Sequence, residues 1–254
     1  ARQIGDTNNL IRCLANLAEE AGDEADWQLC LEYVDQWVAL AKELRDDGEE
    51  ADALRKRGAA LFELREYDEA KSSLERALIL ARDNVARDEA QKNLNLVQSE
   101  IEEMRCAREL LRELVTQCNA AANTGESIAE ARLRLSAGEA AFRLHQDDEA
   151  VLHLERYFAL VDDYGCGVAA TGVDNLRHCT AVANMAEASW HCGRIGEAVQ
   201  WGMRELAVYK DDVAGQAQAW CNIGIYLDDD GKFDRAQEAL SKSIALAEEA
   251  GDDH

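Results

Sequence analysis

Gly58-Ala59-Ala60-Leu61-Phe62-Glu63-Leu64-Arg65-Glu66-Tyr67-Asp68-Glu69-Ala70 returns eighty residues later as Gly138-Glu139-Ala140-Ala141-Phe142-Arg143-Leu144-His145-Gln146-Asp147-Asp148-Glu149-Ala150, with seven of thirteen positions identical. The match continues through Leu74-Glu75-Arg76 and Leu154-Glu155-Arg156. Self-similarity at a fixed spacing marks a stack of small units, none of which buries its apolar face alone, rather than one closed core. Such a stack offers a long surface for holding other proteins.

With Gly58 as the eighth position of a 34-residue unit, Ala51 takes position 1, Leu54 position 4, Leu61 position 11, Tyr67 position 17, Ala70 position 20, Leu74 position 24 and Ala77 position 27. This spacing resembles the tetratricopeptide repeat, a pair of antiparallel helices. Gly58 and Ala70 lack bulk where the helices would cross, and Leu54, Leu61, Tyr67 and Leu74 fill the space around the crossing. Glu66-Tyr67-Asp68 is the expected turn. Trp220, Gly224, Leu227, Phe233, Ala236 and Leu240 repeat positions 4, 8, 11, 17, 20 and 24 over 217–250. Residues 131–164 supply Gly138, Ala150 and Leu154. A weaker unit begins near 179, with Ala186 in place of glycine, then Trp190 and Ala198.

Residues 8–48 read as a helix pair broken at Gly22-Asp23, its second helix running from about Asp26 to Asp46. Residues 85–122 hold neither Gly nor Pro and read as one very long helix or two barely separated ones. Asn123-Thr124-Gly125-Glu126-Ser127 ends them, with the Ser127 hydroxyl expected to cap the next helix. Gly165, Gly167 and Gly172 mark one long loop over 162–175. The expected fold is an all-α, right-handed tetratricopeptide-type solenoid of about six antiparallel helix pairs, in units near 8–48, 51–84, 85–130, 131–164, 179–212 and 217–250. No polar capping helix closes either end, so the chain is expected to be part of a larger protein or to have an end covered by a partner.

Composition agrees. The chain of 254 residues has no proline and is 47% hydrophobic, which argues for folded helices rather than disorder. No run of 18 apolar residues provides a membrane span, and no signal peptide opens the sequence. The 51 acidic residues against 27 basic ones give a net charge of −24. That balance opposes direct nucleic-acid binding and contact with anionic membranes, and it favours a basic partner. The eight cysteines, at 13, 30, 106, 118, 166, 179, 192 and 221, form no C-x-x-C and read as small core residues in a reducing, intracellular compartment, nucleus or cytoplasm.

No catalytic constellation stands out, and no cofactor is expected. There is no phosphate loop, G-x-S-x-G or H-E-x-x-H. His178-Cys179 and His191-Cys192 hint at zinc, but adjacent helical residues point about 100° apart and cannot share a metal. Asp228-Asp229-Asp230-Gly231 resembles a calcium loop, but Tyr226 stands where the EF-hand needs its first Asp.

In tetratricopeptide arrays the first helix of each pair lines the binding groove, through positions 2, 5, 9, 12 and 13. Those positions are Asp52, Arg55, Ala59, Phe62 and Glu63 in the first unit and Arg132, Leu135, Glu139, Phe142 and Arg143 in the second. The unit near 179 offers Thr180, Ala183, Glu187, Trp190 and His191, and the last Gln218, Cys221, Ile225, Asp228 and Asp229. Phe62, Phe142 and Trp190 share position 12, which suggests an aromatic row for an extended or helical partner segment, basic or amphipathic. The expected contact residues are Arg55, Phe62, Arg132, Phe142, Arg143, Trp190 and His191. The competing reading packs the three rings against the neighbouring repeat. A chaperone carboxylate clamp holds its ligand with Lys and Asn at positions 5, 9, 2 and 6; at positions 5 and 9 only Arg55 offers a matching cation, and several acids would repel the ligand.

Glu89 through Leu94 and Ile101 through Met104, inserted between ordinary repeats, together with Ala217-Gln218-Ala219-Trp220-Cys221-Asn222-Ile223-Gly224, resemble the repeat region of Tonsoku-like proteins. That family implies a nuclear replication-fork scaffold whose repeats engage another large scaffold protein during recombination repair. No ankyrin segment is present for histone reading. The alternative is a structural spacer or dimerisation arm of a cytoplasmic protein, contacting through 85–122.

Overall fold

The computed structural model describes residues 2–163, 171–210 and 212–251. Those residues form eleven helices and no strand: α1 Arg2–Asp23, α2 Trp27–Leu44, α3 Asp47–Glu63, α4 Tyr67–Leu80, α5 Asn84–Thr124, α6 Ser127–Arg143, α7 Asp147–Asp163, α8 Asn175–His191, α9 Ile195–Val208, α10 Val213–Asp229 and α11 Phe233–Ala250. They fall into two compact units, Ala1–Glu103 and Met104–His254.

Seven connections use one turn. A residue one or two past the helix end takes a left-handed backbone: Ala25, Arg45, Arg65, Gly125, His145, Gly193 and Gly231. The residue after that sends its N–H back to the carbonyl five positions earlier, as in Glu66 to Leu61 at 2.8 Å and Lys232 to Leu227 at 2.8 Å. This satisfies carbonyls that the helix end leaves free. The next helix starts at once, and in two cases the same residue caps it: Asp26 accepts from Leu29 N–H, and Asp46 from Gly48 and Glu49. The turn of the first repeat is therefore Leu64-Arg65-Glu66, with Tyr67 and Asp68 already inside α4. α1 ends at Asp23, where the Gly22-Asp23 break was expected, with the left-handed turn at Ala25, whereas Ser127 is the first helical residue after Glu126 rather than a side-chain cap.

The helix crossings are as the glycines require. A Cβ on Gly58 would stand 2.5 Å from Leu74 Cγ, one on Gly138 2.7 Å from Leu154 Cγ, and one on Gly224 2.6 Å from Leu240 Cγ. The unit near 179 differs. Position 24 is Gly202, and Ile223 of α10 reaches in, 2.7 Å from where a Cβ would lie.

In the first unit, successive helices α1 to α4 pack on one another. Cys30, Val34 and Val38 of α2 meet Ala53, Leu54 and Ala60 of α3, and Ala90 of α5 joins them. Leu61, Ala70 and Leu74 form a second cluster with Leu94 and Val97 of α5. In the second unit, Leu111, Leu114 and Cys118 of α5 pack with α6, α7 and α8 around Leu135, Leu154 and Tyr157. Of the two readings of 85–122, one very long helix or two barely separated ones, the structure has the first: α5 is one helix of 41 residues. Ala90, Leu94 and Val97 are buried in the first unit and Ala107, Leu111, Leu114, Cys118 and Ala121 in the second, each set at three- and four-residue intervals. The expected loop at 162–175 is helical to Asp163, resumes with Asp174 capping α8, and otherwise lies largely outside the described residues.

Candidate functional site

In the first unit, α3 turns its expected contact residues toward α5. Arg55 Nε is 3.4 Å from Glu89 on α5. Burial raises the Asp52 carboxyl above its ordinary range, Arg55 opposes this, and Asp83 and Glu89 add to it. Phe62 is half-buried against Leu61, Leu74, Leu94 and Val97, and meets the Tyr67 ring edge-on at 5.6 Å. Beside it lies a cleft of about 150 Å³. Gly58, Ala59, Phe62 and Leu74 line it from the repeat, Leu96 and Val97 from α5, and Glu63 and Asn93 add polar groups. Leu96 is 54% exposed, an apolar side chain held open to solvent at the mouth. The sequence reading missed Asn93, Leu96 and Val97. Their only signal is the spacing from Ala90, which had no repeat frame to give it meaning.

In the second unit, Phe142 is half-buried against the α6–α8 core. Trp190 is also half-buried. Its ring lies 5.6 Å from Tyr226 and 5.0 Å from His191, and its Nε1 donates to Asp229 Oδ2 at 2.7 Å. His191 Nδ1 is 3.2 Å from Asp147 Oδ2. The structure thus joins Trp190 and His191 to α7 and α10. Arg132 is exposed and donates to the Thr171 carbonyl, and Arg143 is exposed. Arg177 ties down Glu139, with Nε 3.1 Å from Oε1, and reaches Ser136 at 3.3 Å. The rings that were to line a groove therefore spend part of their surface on packing between helices.

His178 lies 2.9 Å from the Tyr157 hydroxyl through Nδ1. Burial pushes the phenol up to about 12 and lowers the imidazole, so the Tyr157 hydroxyl keeps its proton and donates a hydrogen bond to Nδ1 of a neutral His178. Among the described residues no group of three or more His, Cys, Asp and Glu could hold a metal, and of the described cysteines Cys30 and Cys118 are buried and Cys13 and Cys106 exposed. No described helix is long and apolar enough to cross a membrane.

These features define an all-helical protein built largely of helix pairs. The tetratricopeptide repeat model matches residues 51–84 and 217–249, so α3/α4 and α10/α11 are tetratricopeptide repeats. No curated protein sequence matches the chain. Among solved structures, BtubC from P. vanneervenii is 14% identical with a TM-score of 0.42, covering 98% of this chain and 93% of its own. A putative kinesin light chain repeat protein from Podosopora anserina is 17% identical with a TM-score of 0.40, covering 95% and 96%. YrrB, described as a TPR protein with an unusual peptide-binding site, is 18% identical with a TM-score of 0.35, covering 92% and 84%.

Proposed function

We propose that this chain is a non-catalytic scaffold that holds a segment of a partner protein on the first-helix faces of its repeats. The cleft between α3 and α5 carries the reading: an open apolar floor at Ala59, Phe62 and Leu96 flanked by Glu63 and Asn93 suits one apolar side chain of a partner with a polar or basic neighbour. Arg55, Arg132, Phe142, Arg143, Trp190 and His191 are the further contacts of this reading. The narrower reading, a nuclear replication-fork scaffold that engages a second large scaffold, rests on the likeness of 89–104 and 217–224 to Tonsoku-like repeats. The test is affinity capture from nuclear and cytoplasmic extracts, comparing the wild type with Phe62→Ala/Leu96→Ala and with Phe142→Ala/Trp190→Ala. Partners retained equally by both variants would show that neither face is the groove. The continuity of α5 favours one second reading, a dimerisation arm, and a monomer in sedimentation would remove it.

A further inference from the structure

The eighty-residue register of the duplication matches the second half of α5 to α2, for the left-handed Gly125 that follows α5 answers the left-handed Arg45 that follows α2. In the first unit Arg57 of α3 spans the gap between α2 and α4, with Nε 2.7 Å from Asp35 and Nη2 3.4 Å from Glu69. Eighty positions on, Ala137 has no side chain long enough to span the gap between α5 and α7. A cleft of about 460 Å³ lies between those two helices, lined by Val115 where α2 has Asp35 and by Glu149 where α4 has Glu69. Leu111 and Val115 are its apolar floor. The charges around it are inverted as well. Gln28 and Glu32 of α2 become Arg108 and Arg112, both exposed and both lining the cleft, and Glu66 becomes Gln146. The two arginines stand one turn apart on one face of α5, where like charges repel. Neither forms an ion pair with another described residue, and the Glu149 carboxylate lies against His153 of its own helix at 3.9 Å. In a chain with 27 basic residues against 51 acidic ones, these two cations share a cleft and no internal carboxylate neutralises them.

We propose that the cleft between α5 and α7 binds an acidic segment of a partner protein, through two carboxylates one helical turn apart and an apolar side chain beside them. Charge complementarity names the ligand. A guanidinium offers paired N–H groups that match a carboxylate in two parallel hydrogen bonds, and anions set against Arg108 and Arg112 relieve their mutual repulsion. Leu111 and Val115 give the apolar side chain a surface on which to leave water. That floor adds nothing for phosphate or nucleic acid, whose dense charge the acidic chain as a whole repels. At about 0.15 M salt the distant acids are screened beyond roughly 8 Å, so the two arginines set the field at the cleft. A second copy is disfavoured, because each carries −24. This site is separate from the first-helix faces and from the α3–α5 cleft.

The probe is a rhodamine-labelled, alanine-based helical peptide carrying Glu-Ala-Ala-Leu-Glu, with a counterpart in which both glutamates are glutamine. Anisotropy titrations should show the glutamate peptide binding the wild-type chain at least tenfold more tightly than the glutamine peptide. Arg108→Ala/Arg112→Ala should weaken the glutamate peptide at least tenfold. Arg12→Ala/Arg235→Ala removes the same charge at exposed sites elsewhere and should weaken it less than threefold. All four arginines are exposed, so both variants should keep the wild-type helicity and unfolding midpoint. No binding by the wild type, equal binding of the two peptides, or equal losses in the two double variants overturns the proposal. So does displacement of the peptide by an equal concentration of inorganic phosphate, since a simple anion would then suffice. A wild-type dimer in sedimentation that Arg108→Ala/Arg112→Ala converts to monomer also overturns it, since a second copy would then be the occupant.

Discussion

Glu130 receives two hydrogen bonds from Arg156, Nε at 2.9 Å and Nη2 at 3.0 Å, although only 3% of Glu130 is exposed. Eighty positions earlier, at the same places of the first repeat, Glu50 and Arg76 form a looser pair at 3.6 Å. The duplication thus includes an ion pair as well as a packing motif. Glu130 also lies 3.5 Å from Arg134, so its removal leaves two guanidinium groups without their carboxylate. Glu130→Ala should cost about 2 kcal/mol in urea unfolding and Glu50→Ala about 1 kcal/mol. The Arg156 hydrogen bonds hold the Glu130 carboxyl below its ordinary range of 4.5. A depressed folded value stabilises above the unfolded value and is lost as pH falls through the folded one. The gap between wild type and Glu130→Ala should therefore shrink on acidification below pH 4.5 and stay constant above it.

The three crossings predict a ranking for glycine replacement. Leu74 and Leu154 are 0% exposed and have nowhere to turn, whereas Leu240 is 36% exposed and can swing outward. Gly58→Ala and Gly138→Ala should destabilise by about 1–3 kcal/mol through overpacking. Gly224→Ala should be close to neutral, its strain relieved and partly offset by the better helix propensity of alanine. Thermal unfolding of the three single variants gives the order, and an equal loss at all three sites would contradict it.

Glu205 is 2% exposed, and its Oε2 has no hydrogen-bond partner among the described residues. Burial, with Glu187 adding, raises its carboxyl from 4.5 to about 7, and Tyr209 and Tyr226 also lie within its field. Because the folded value is raised, the folded state keeps a proton that the unfolded state has released. Stability from this group is complete below pH 4.5 and declines as pH rises toward 7. The decline amounts to about 3 kcal/mol by pH 8. Glu205→Gln should abolish this slope, measured as urea midpoints from pH 5 to pH 8. Parallel curves for the two proteins would show that Glu205 is not the group responsible.

The left-handed turn position is glycine at 193 and 231 but arginine at 65, with φ of 71°, 70° and 64°. A Cβ at Gly193 or Gly231 would meet nothing within 4 Å, so only backbone strain is at stake. Gly193→Ala and Gly231→Ala should each lose about 1 kcal/mol, and Arg65→Gly should gain a similar amount. Melting temperatures of the three variants check the sign at each position.

How far the sequence could be read follows from which residues carry redundant signals. Gly58 with Leu74 fixes a crossing because no larger residue fits at one and no smaller one fills the other, and this was legible. The turn was misplaced by two residues because Arg65 and His145 hold a conformation that neither advertises, where Gly193 and Gly231 do. α5 runs as one helix through residues that hold neither Gly nor Pro. Nothing in its residues excluded a break near Glu103. The surroundings of Trp190 were hidden for another reason: Tyr226 and Asp229, its partners, lie in a different unit of the array and become its neighbours only on folding.

The shared turn has a consequence for how quickly the chain regains its structure. At each of the seven turns one residue needs a positive φ and the next must give its N–H to the preceding helix. Proline can do neither, since its ring fixes φ near −65° and removes the hydrogen. A chain built on this connection has little room for the residue, and this one has none. It therefore lacks the slow X–Pro isomerisation that holds many proteins back for tens to hundreds of seconds. Refolding after long and brief exposure to urea should follow the same time course, unchanged by a prolyl isomerase.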